Sequence, residues 1–183
     1  MYVFLSCDRN DKDFIAAVMK AVDEVNLSIG AGTIELVFPP TGIGGDRGTV
    51  LANLVRIREC ELVLFDVTPP PGEKAPNPGV LVELGFVLGM DNPLRSAPWS
   101  GVLPKPKHRV FCHESVVKRD LPPLVNNESI RPYSLDSSTA DFVGTLMKEA
   151  IAEKVRDKID FTVDSTGQPM QQANPPISNL QQV

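Results

Sequence analysis

Strand-length apolar runs alternate with segments of helical period along most of this chain, and that alternation constrains the fold more than any compositional value. Tyr2–Ser6 (YVFLS), Thr33–Phe38 (TIELVF), Glu61–Asp66 (ELVLFD) and Arg109–Cys112 read as strands. Ser129–Tyr133 reads as a fifth, which Pro132 restricts to an edge or a strand end because it cannot donate to a ladder. Between them, Phe14, Ile15, Val18, Met19, Val22 and Val25 recur at helical spacing. Thr49–Glu59 carries Val50, Leu51, Leu54, Val55 and Ile57, and a helix follows Asn77-Pro78, a good N-cap and first helical residue. Phe142, Val143, Leu146, Met147, Ala150, Ile151 and Val155 mark a last amphipathic helix. This order argues a doubly wound α/β fold: a mostly parallel, five-stranded sheet flanked by helices, Rossmann- or flavodoxin-like. The expected division is an α/β domain over 1–160 and a flexible C-terminal tail over 161–183. The tail sequence DSTGQPMQQANPPISNLQQV is polar, rich in Gln and Pro, and without period.

Charge narrows the partners. The 183-residue chain carries a net charge of -5, with no basic face expected, so neither extended nucleic acid nor an anionic membrane is an expected partner. Cys7, Cys60 and Cys112 are odd in number and form no CxxC, which argues against a disulfide framework or a zinc site. No signal peptide pattern and no apolar run of about 18 residues is present, so a cytoplasmic, soluble protein is expected. Asp8, Asp11 and Asp13 alternate as in a metal loop but lack the glycine and terminal glutamate of an EF-hand; they read as a helix start, and no metal is expected.

The segment Asn77–Met90, NPGVLVELGFVLGM, is apolar except for Glu83. Two readings stand. Glu83 is a solvated position on a packed helix, since charged residues are rarely buried unpaired. Or it faces a cavity or a partner, since Val80, Leu81, Val82, Leu84, Phe86, Val87 and Leu88 surround it and a helix apolar all round is a buried one. Gly79 and Gly85 would leave room beside it.

In open α/β sheets, ligands bind beyond the carboxyl ends of the strands. That rule gathers Ser6, Cys7, Asp8 and Arg9 after the first strand, and Phe38 with the loop TGIGGDRG and its Asp46 and Arg47 after the second. Asp66 and Thr68 follow the third, His113 and Glu114 the fourth, and Asn77 and Gly79 open the Glu83 helix beside them. Each has a plainer alternative. A strand-end Asp often caps the next turn. The glycine loop lacks the GK[ST] ending of a phosphate loop, Arg9 and Arg47 suit a phosphate or simply the surface, and Phe38 and Trp99 suit a base or the core. Cys7 with His113 is a conceivable nucleophile pair, but no oxyanion motif or third member accompanies it.

The segment LVLFDVTPPPGEKAPNPGVLVELGFVLG resembles the core of nucleoside 2-deoxyribosyltransferase-like proteins and of the related TIR-like nucleotide-binding domains. VFLSCDRNDKDFIAAVMKAV is similar to the opening of TIR-like domains, and DLPPLVNNESIRPYS to their closing part; the resemblance spans residues 2–155. It implies that Glu83 is the catalytic residue of N-glycosidic bond cleavage on a small nucleotide or nucleoside; Ser6, Cys7, Asp8, Arg9, Phe38, Arg47, Asp66, Thr68, Asn77 and Gly79, gathered by the strand-end rule, are the substrate-binding candidates. It implies self-association, and no cofactor is expected. The deoxyribosyltransferase branch carries an assisting Asp in the helix before the third strand; counted without gaps, that position is Asn53. An amide cannot protonate a departing purine, whereas nicotinamide leaves NAD without a proton, so NAD cleavage in nucleotide depletion or signalling, as in antiviral defence, is the expectation. A deoxyribosyltransferase or deoxynucleotide hydrolase, and a non-catalytic nucleotide-sensing module, are the alternatives.

Overall fold

The computed structural model describes residues 1–39, 47–90, 106–126, 128–134 and 137–162. Five strands form one sheet: β1 (Tyr2–Ser6), β2 (Glu35–Val37), β3 (Leu62–Asp66), β4 (Lys107–His113) and β5 (Ile130–Tyr133). Their order is β2-β1-β3-β4-β5, and every pairing is parallel. The helices are α1 (Lys12–Ile29), α2 (Arg47–Glu59), α3 (Pro78–Gly89), the short α4 (Pro123–Asn126) and α5 (Ser137–Thr162). The doubly wound, parallel architecture expected from the alternation is therefore the one found, and the order reverses between β1 and β3, the kind of switch point beside which ligands bind in open α/β sheets.

Each strand behaves as its sequence requires. β3 (LVLFD) is central, buried at all five positions, and reads as a continuous apolar run because helices cover both faces. β2 and β5 are the edges, and Pro132 sits in β5, where an absent N–H costs no ladder bond. β2 is shorter than the expected Thr33–Phe38, and β4 is longer than Arg109–Cys112 at both ends.

Alternation along the strands sends side chains to two separate cores. Phe4, Val63, Phe65, Val110 and Cys112 pack with Ile57 of α2, Val80, Leu84 and Val87 of α3 and Val125 of α4. The other face meets α1 and α5: Phe14 of α1 stacks obliquely on Phe111 and Tyr133, and Phe142 of α5 meets Phe111 edge-on. Register makes the division strict, since neighbours in a parallel ladder point the same way: Ser6 lies beside Phe65, and Asp66 beside Phe111. Ser6 therefore belongs to the α2–α3 face and Asp66 to the α1–α5 face.

α3 is apolar all round, but it is not wholly buried: Val82 is 50% exposed. By compactness the chain divides into Met1–Ala150, which holds the whole sheet, and Ile151–Val183, of which the helical residues 151–162 are described. The glycine-loop residues 41–46 with Asp46, the segment 91–105 with Trp99, and the tail from 163 lie outside the described residues. Among the described residues no helix is long and apolar enough to cross a membrane.

Candidate functional site

Glu83 is 5% exposed, which removes the solvated reading. It occupies the second turn of α3, and its neighbours Val80, Leu84 and Val87 seat the helix against the sheet. A buried carboxylate must be hydrogen-bonded, and two elements supply the donors. Ser6, fully buried at the end of β1, donates its hydroxyl to Glu83 Oε2 at 2.5 Å. Asn53 of α2 donates Nδ2 to Glu83 Oε1 at 2.8 Å. Burial pushes the Glu83 carboxyl above its ordinary range, and the bonds from Ser6 and Asn53 pull it back. Asn53 is itself buried, and its Oδ1 has no hydrogen-bond partner. The residue that the gapless count singled out is thus in direct contact with Glu83.

The two glycines do something other than clear space around Glu83. Asn77 caps α3 by accepting from Gly79 N at 2.9 Å, and a Cβ on Gly79 would meet that same Asn77 oxygen at 3.2 Å. A Cβ on Gly85 would meet Leu124 of α4 at 3.7 Å. Asn77 also reaches Asp8 Oδ2 with Nδ2 at 3.3 Å, tying the β1–α1 loop to the start of α3.

Asp66 lies one residue beyond Phe65 and faces the other way. Its Oδ1 accepts Thr68 N at 3.1 Å and Thr68 Oγ1 at 2.6 Å, so it caps the following turn, as strand-end aspartates commonly do. Its Oδ2 lies 3.3 Å from the Tyr133 hydroxyl, which also lies 3.0 Å from Asp11 Oδ2 and 3.2 Å from Thr68 Oγ1. Thr68 Oγ1 in turn accepts His113 N at 2.9 Å. Burial pushes the Asp66 carboxyl up to about 8, with Asp11 acting in the same direction and the Thr68 bonds opposing. The Tyr133 phenol is likewise pushed up, by burial and then by the Asp66 charge.

Asp11 and Tyr133 were missed by the sequence reading as site residues. Both carried a signal: Asp11 is the N-cap of α1, accepting Phe14 N at 3.0 Å, and Tyr133 is the last residue of β5 on the ligand edge of the sheet.

Cys7 sits between the two carboxyl groups. Burial, then Asp66, Asp11, Asp8 and Glu83, push its thiol up to about 12, so it is a neutral thiol and not an activated nucleophile. His113 is engaged elsewhere: its Nδ1 shares a hydrogen bond with Ser115 Oγ at 2.7 Å and its ring stands edge-on to Tyr133. Phe38 follows β2 with its ring partly exposed, and its carbonyl accepts Arg56 Nη1 at 3.0 Å. Arg9 donates to the Pro39 carbonyl at 3.3 Å. Arg47 begins α2; its side chain lies outside the description. Among the described residues no group of His, Cys, Asp or Glu side chains is arranged to hold a metal ion.

No protein-family model matches this chain, and no curated protein matches it. Among solved structures, a 2-desoxiribosyltransferase from Leishmania mexicana is similar: 14% identical, covering 78% of this chain and 96% of that one, with a TM-score of 0.47.

Proposed function

We propose that this protein cleaves an N-glycosidic bond of a small nucleotide or nucleoside, with Glu83 as the residue that meets the sugar. The observation that carries the reading is a carboxylate buried on an apolar helix at the ligand edge of the sheet, each oxygen held by a donor from a different element. Such a group is placed for one charge state and one direction. Breaking a ribose–base bond builds positive charge at C1′, and a fixed carboxylate either stabilises that charge or bonds to the carbon. The bonds from Ser6 and Asn53 favour the ionised carboxylate and oppose the burial that raises it.

The finer reading is NAD. Asn53 touches Glu83 through an amide N–H that it cannot give up. The other buried acid, Asp66, faces the opposite side of the sheet. A leaving group that departs neutral without gaining a proton, as nicotinamide does, suits such a site better than a neutral purine does. Cysteine nucleophilic chemistry is disfavoured by the thiol at Cys7. Self-association, implied by the resemblance to TIR-like and deoxyribosyltransferase-like proteins, belongs to the same proposal, so assays belong at high protein concentration.

The test incubates concentrated wild type and Glu83→Gln with NAD and, separately, with deoxynucleosides and deoxynucleotides, and follows released base by chromatography. Nicotinamide from wild type alone supports the finer reading. Free purine or pyrimidine instead moves the protein to the 2-deoxyribosyltransferase or deoxynucleotide hydrolase alternative. No base from any substrate, with nucleotide binding retained by Glu83→Gln, makes it a sensing module and ends the catalytic reading.

A further inference from the structure

The β1–α1 loop is tied down on both sides of the sheet. Ser6, just before it, is bonded to Glu83; Asp8 is bonded to Asn77; Asp11, at its end, is bonded to Tyr133. The loop thus crosses the carboxyl edge from the α2–α3 face to the α1–α5 face, with Cys7 between. The first tie joins a hydroxyl to a carboxylate at 2.5 Å, and the Asn77–Asp8 tie is long at 3.3 Å. What holds the far end is the arrangement around Tyr133.

A proton count there decides its behaviour. Thr68 Oγ1 spends its one proton on Asp66 Oδ1 at 2.6 Å. Tyr133 has one proton and the shorter of its carboxylate contacts is to Asp11, at 3.0 Å against 3.3 Å to Asp66 Oδ2. Asp66 Oδ2 can then be satisfied by Tyr133 only if Asp66 carries a proton and donates it to the phenol oxygen. The groups around Asp66 are Asp11 from α1, Cys7 from the loop, Tyr133 from β5 and Thr68 after β3, with His113 of β4 edge-on to Tyr133 and Cys112 on the other face of β4; Asp8 and Glu83 act on Cys7 beyond them. No Lys or Arg is among these groups, so none of them sets a fixed positive charge against a second negative one. Asp66 and Asp11 are like carboxyls sharing one phenol, and such pairs cannot both ionise cheaply.

We propose that Asp66 and Tyr133 form a proton-dependent latch that holds Asp11, and with it the β1–α1 loop, against the carboxyl edge of the sheet. With Asp66 neutral, the chain Asp66 O–H to Tyr133 to Asp11 is complete. When Asp66 ionises, two carboxylates compete for the single phenol proton. Asp66 is 2% exposed and anchored twice by Thr68, whereas Asp11 is only half-buried at a helix start, so Asp11 is the one released. Release frees the loop that carries Cys7 and Asp8 past the Glu83 site. The burial that raises the Asp66 carboxyl to about 8 puts the change on the alkaline side of neutrality. The latch does not depend on what the Glu83 site cleaves.

Alkylation of Cys7 by iodoacetamide, followed by peptide mass mapping, reads the latch directly; the buried Cys60, whose thiol Asp66 does not influence, serves as the internal reference. Wild type, Asp66→Asn and Tyr133→Phe are compared at about pH 6 and about pH 9.5. Asn at 66 can donate to the phenol at every pH and accept both Thr68 bonds, so that variant stays latched. The wild-type rate at Cys7 should match Asp66→Asn at the lower pH and exceed it by at least about tenfold at the higher, since that pH lies more than one unit above the Asp66 ionisation at about 8. Tyr133→Phe should be fast at both. The sign is decisive, because a negative Asp66 by itself opposes thiolate formation at Cys7 and would make wild type the slower of the two. Asp66→Asn reacting as fast as wild type or faster at the higher pH overturns the latch. Should Asp66→Asn not fold, Tyr133→Phe decides alone: no excess over wild type at the lower pH overturns it equally.

Discussion

Two buried carboxyl groups stand at the same edge of one sheet and are held in opposite ways. Glu83, on the α2–α3 face, receives a hydroxyl on one oxygen and an amide N–H on the other, from residues that carry no charge. Asp66, on the α1–α5 face, receives Thr68 twice but shares Tyr133 with a second carboxylate, Asp11. Both are raised by burial, and at both hydrogen bonds from neutral groups oppose it, but only at Asp66 does a second carboxyl, Asp11, reinforce it. The lesson is that burial alone does not decide a carboxyl's role. The partner set makes one a candidate anion at the reaction centre and the other a neutral acid that ties elements together.

The comparison breaks most severely at Glu83. Glu83→Gln should lower turnover on the true substrate by on the order of a thousandfold while leaving most of the fold's stability in place. A silent substitution would remove Glu83 from the chemistry.

Asp66→Asn should have the opposite character, with its effect in stability. An ordinary aspartate of 3.8 raised to about 8 means that the folded state keeps a proton that the unfolded state has released. Stability from this group is complete below 3.8 and is lost as pH rises through the window to about 8. The slope is at most about 1.4 kcal/mol per pH unit. Asp66→Asn should therefore gain on wild type as pH rises, read by urea unfolding at a series of pH values. A gap between the two that does not change with pH would count against the neutral acid.

Asn53→Asp makes the first cluster resemble the second. Two carboxyls at 2.8 Å would share a proton and raise the Glu83 carboxyl further. The acid limb of the rate profile should move up by about one unit, a loss of about tenfold at fixed pH on that limb. An unmoved limb would mean that Asn53 does not tune Glu83.

The smallest effect is a difference between two hydroxyls. Ser6→Ala removes a donor from Glu83, the proposed anion, and should cost about 2 kcal/mol; Thr68→Val, assayed at about pH 6, removes one from Asp66, the proposed neutral acid, and should cost about 1. Equal costs by chemical denaturation would erase the distinction between the faces.

Much of this was legible from residues. The strand β3, the Asn77-Pro78 start of α3, the edge position of Pro132 and the isolation of Glu83 on an apolar helix all follow from local pattern. The strand-end rule also brought Ser6, Cys7, Asp8, Asp66, Thr68 and Asn77 to one edge. It treated them as one cluster, because the facing of strand-end residues on different strands depends on register between those strands. Ser6 beside Phe65, rather than beside Asp66, is what separates them.

By itself, the sequence determined which segments become strands and helices, and that a lone carboxylate, Glu83, stands on an otherwise apolar α3, because periodicity and apolar length are local properties. Only the tertiary structure decided what meets it. Ser6 and Glu83 are 77 positions apart, Asn53 and Glu83 are 30 apart, and Tyr133 and Asp11 are 122 apart. Contacts at such separations are set by strand order, register and the packing of helices on two faces, and no local pattern encodes which donor arrives at which oxygen.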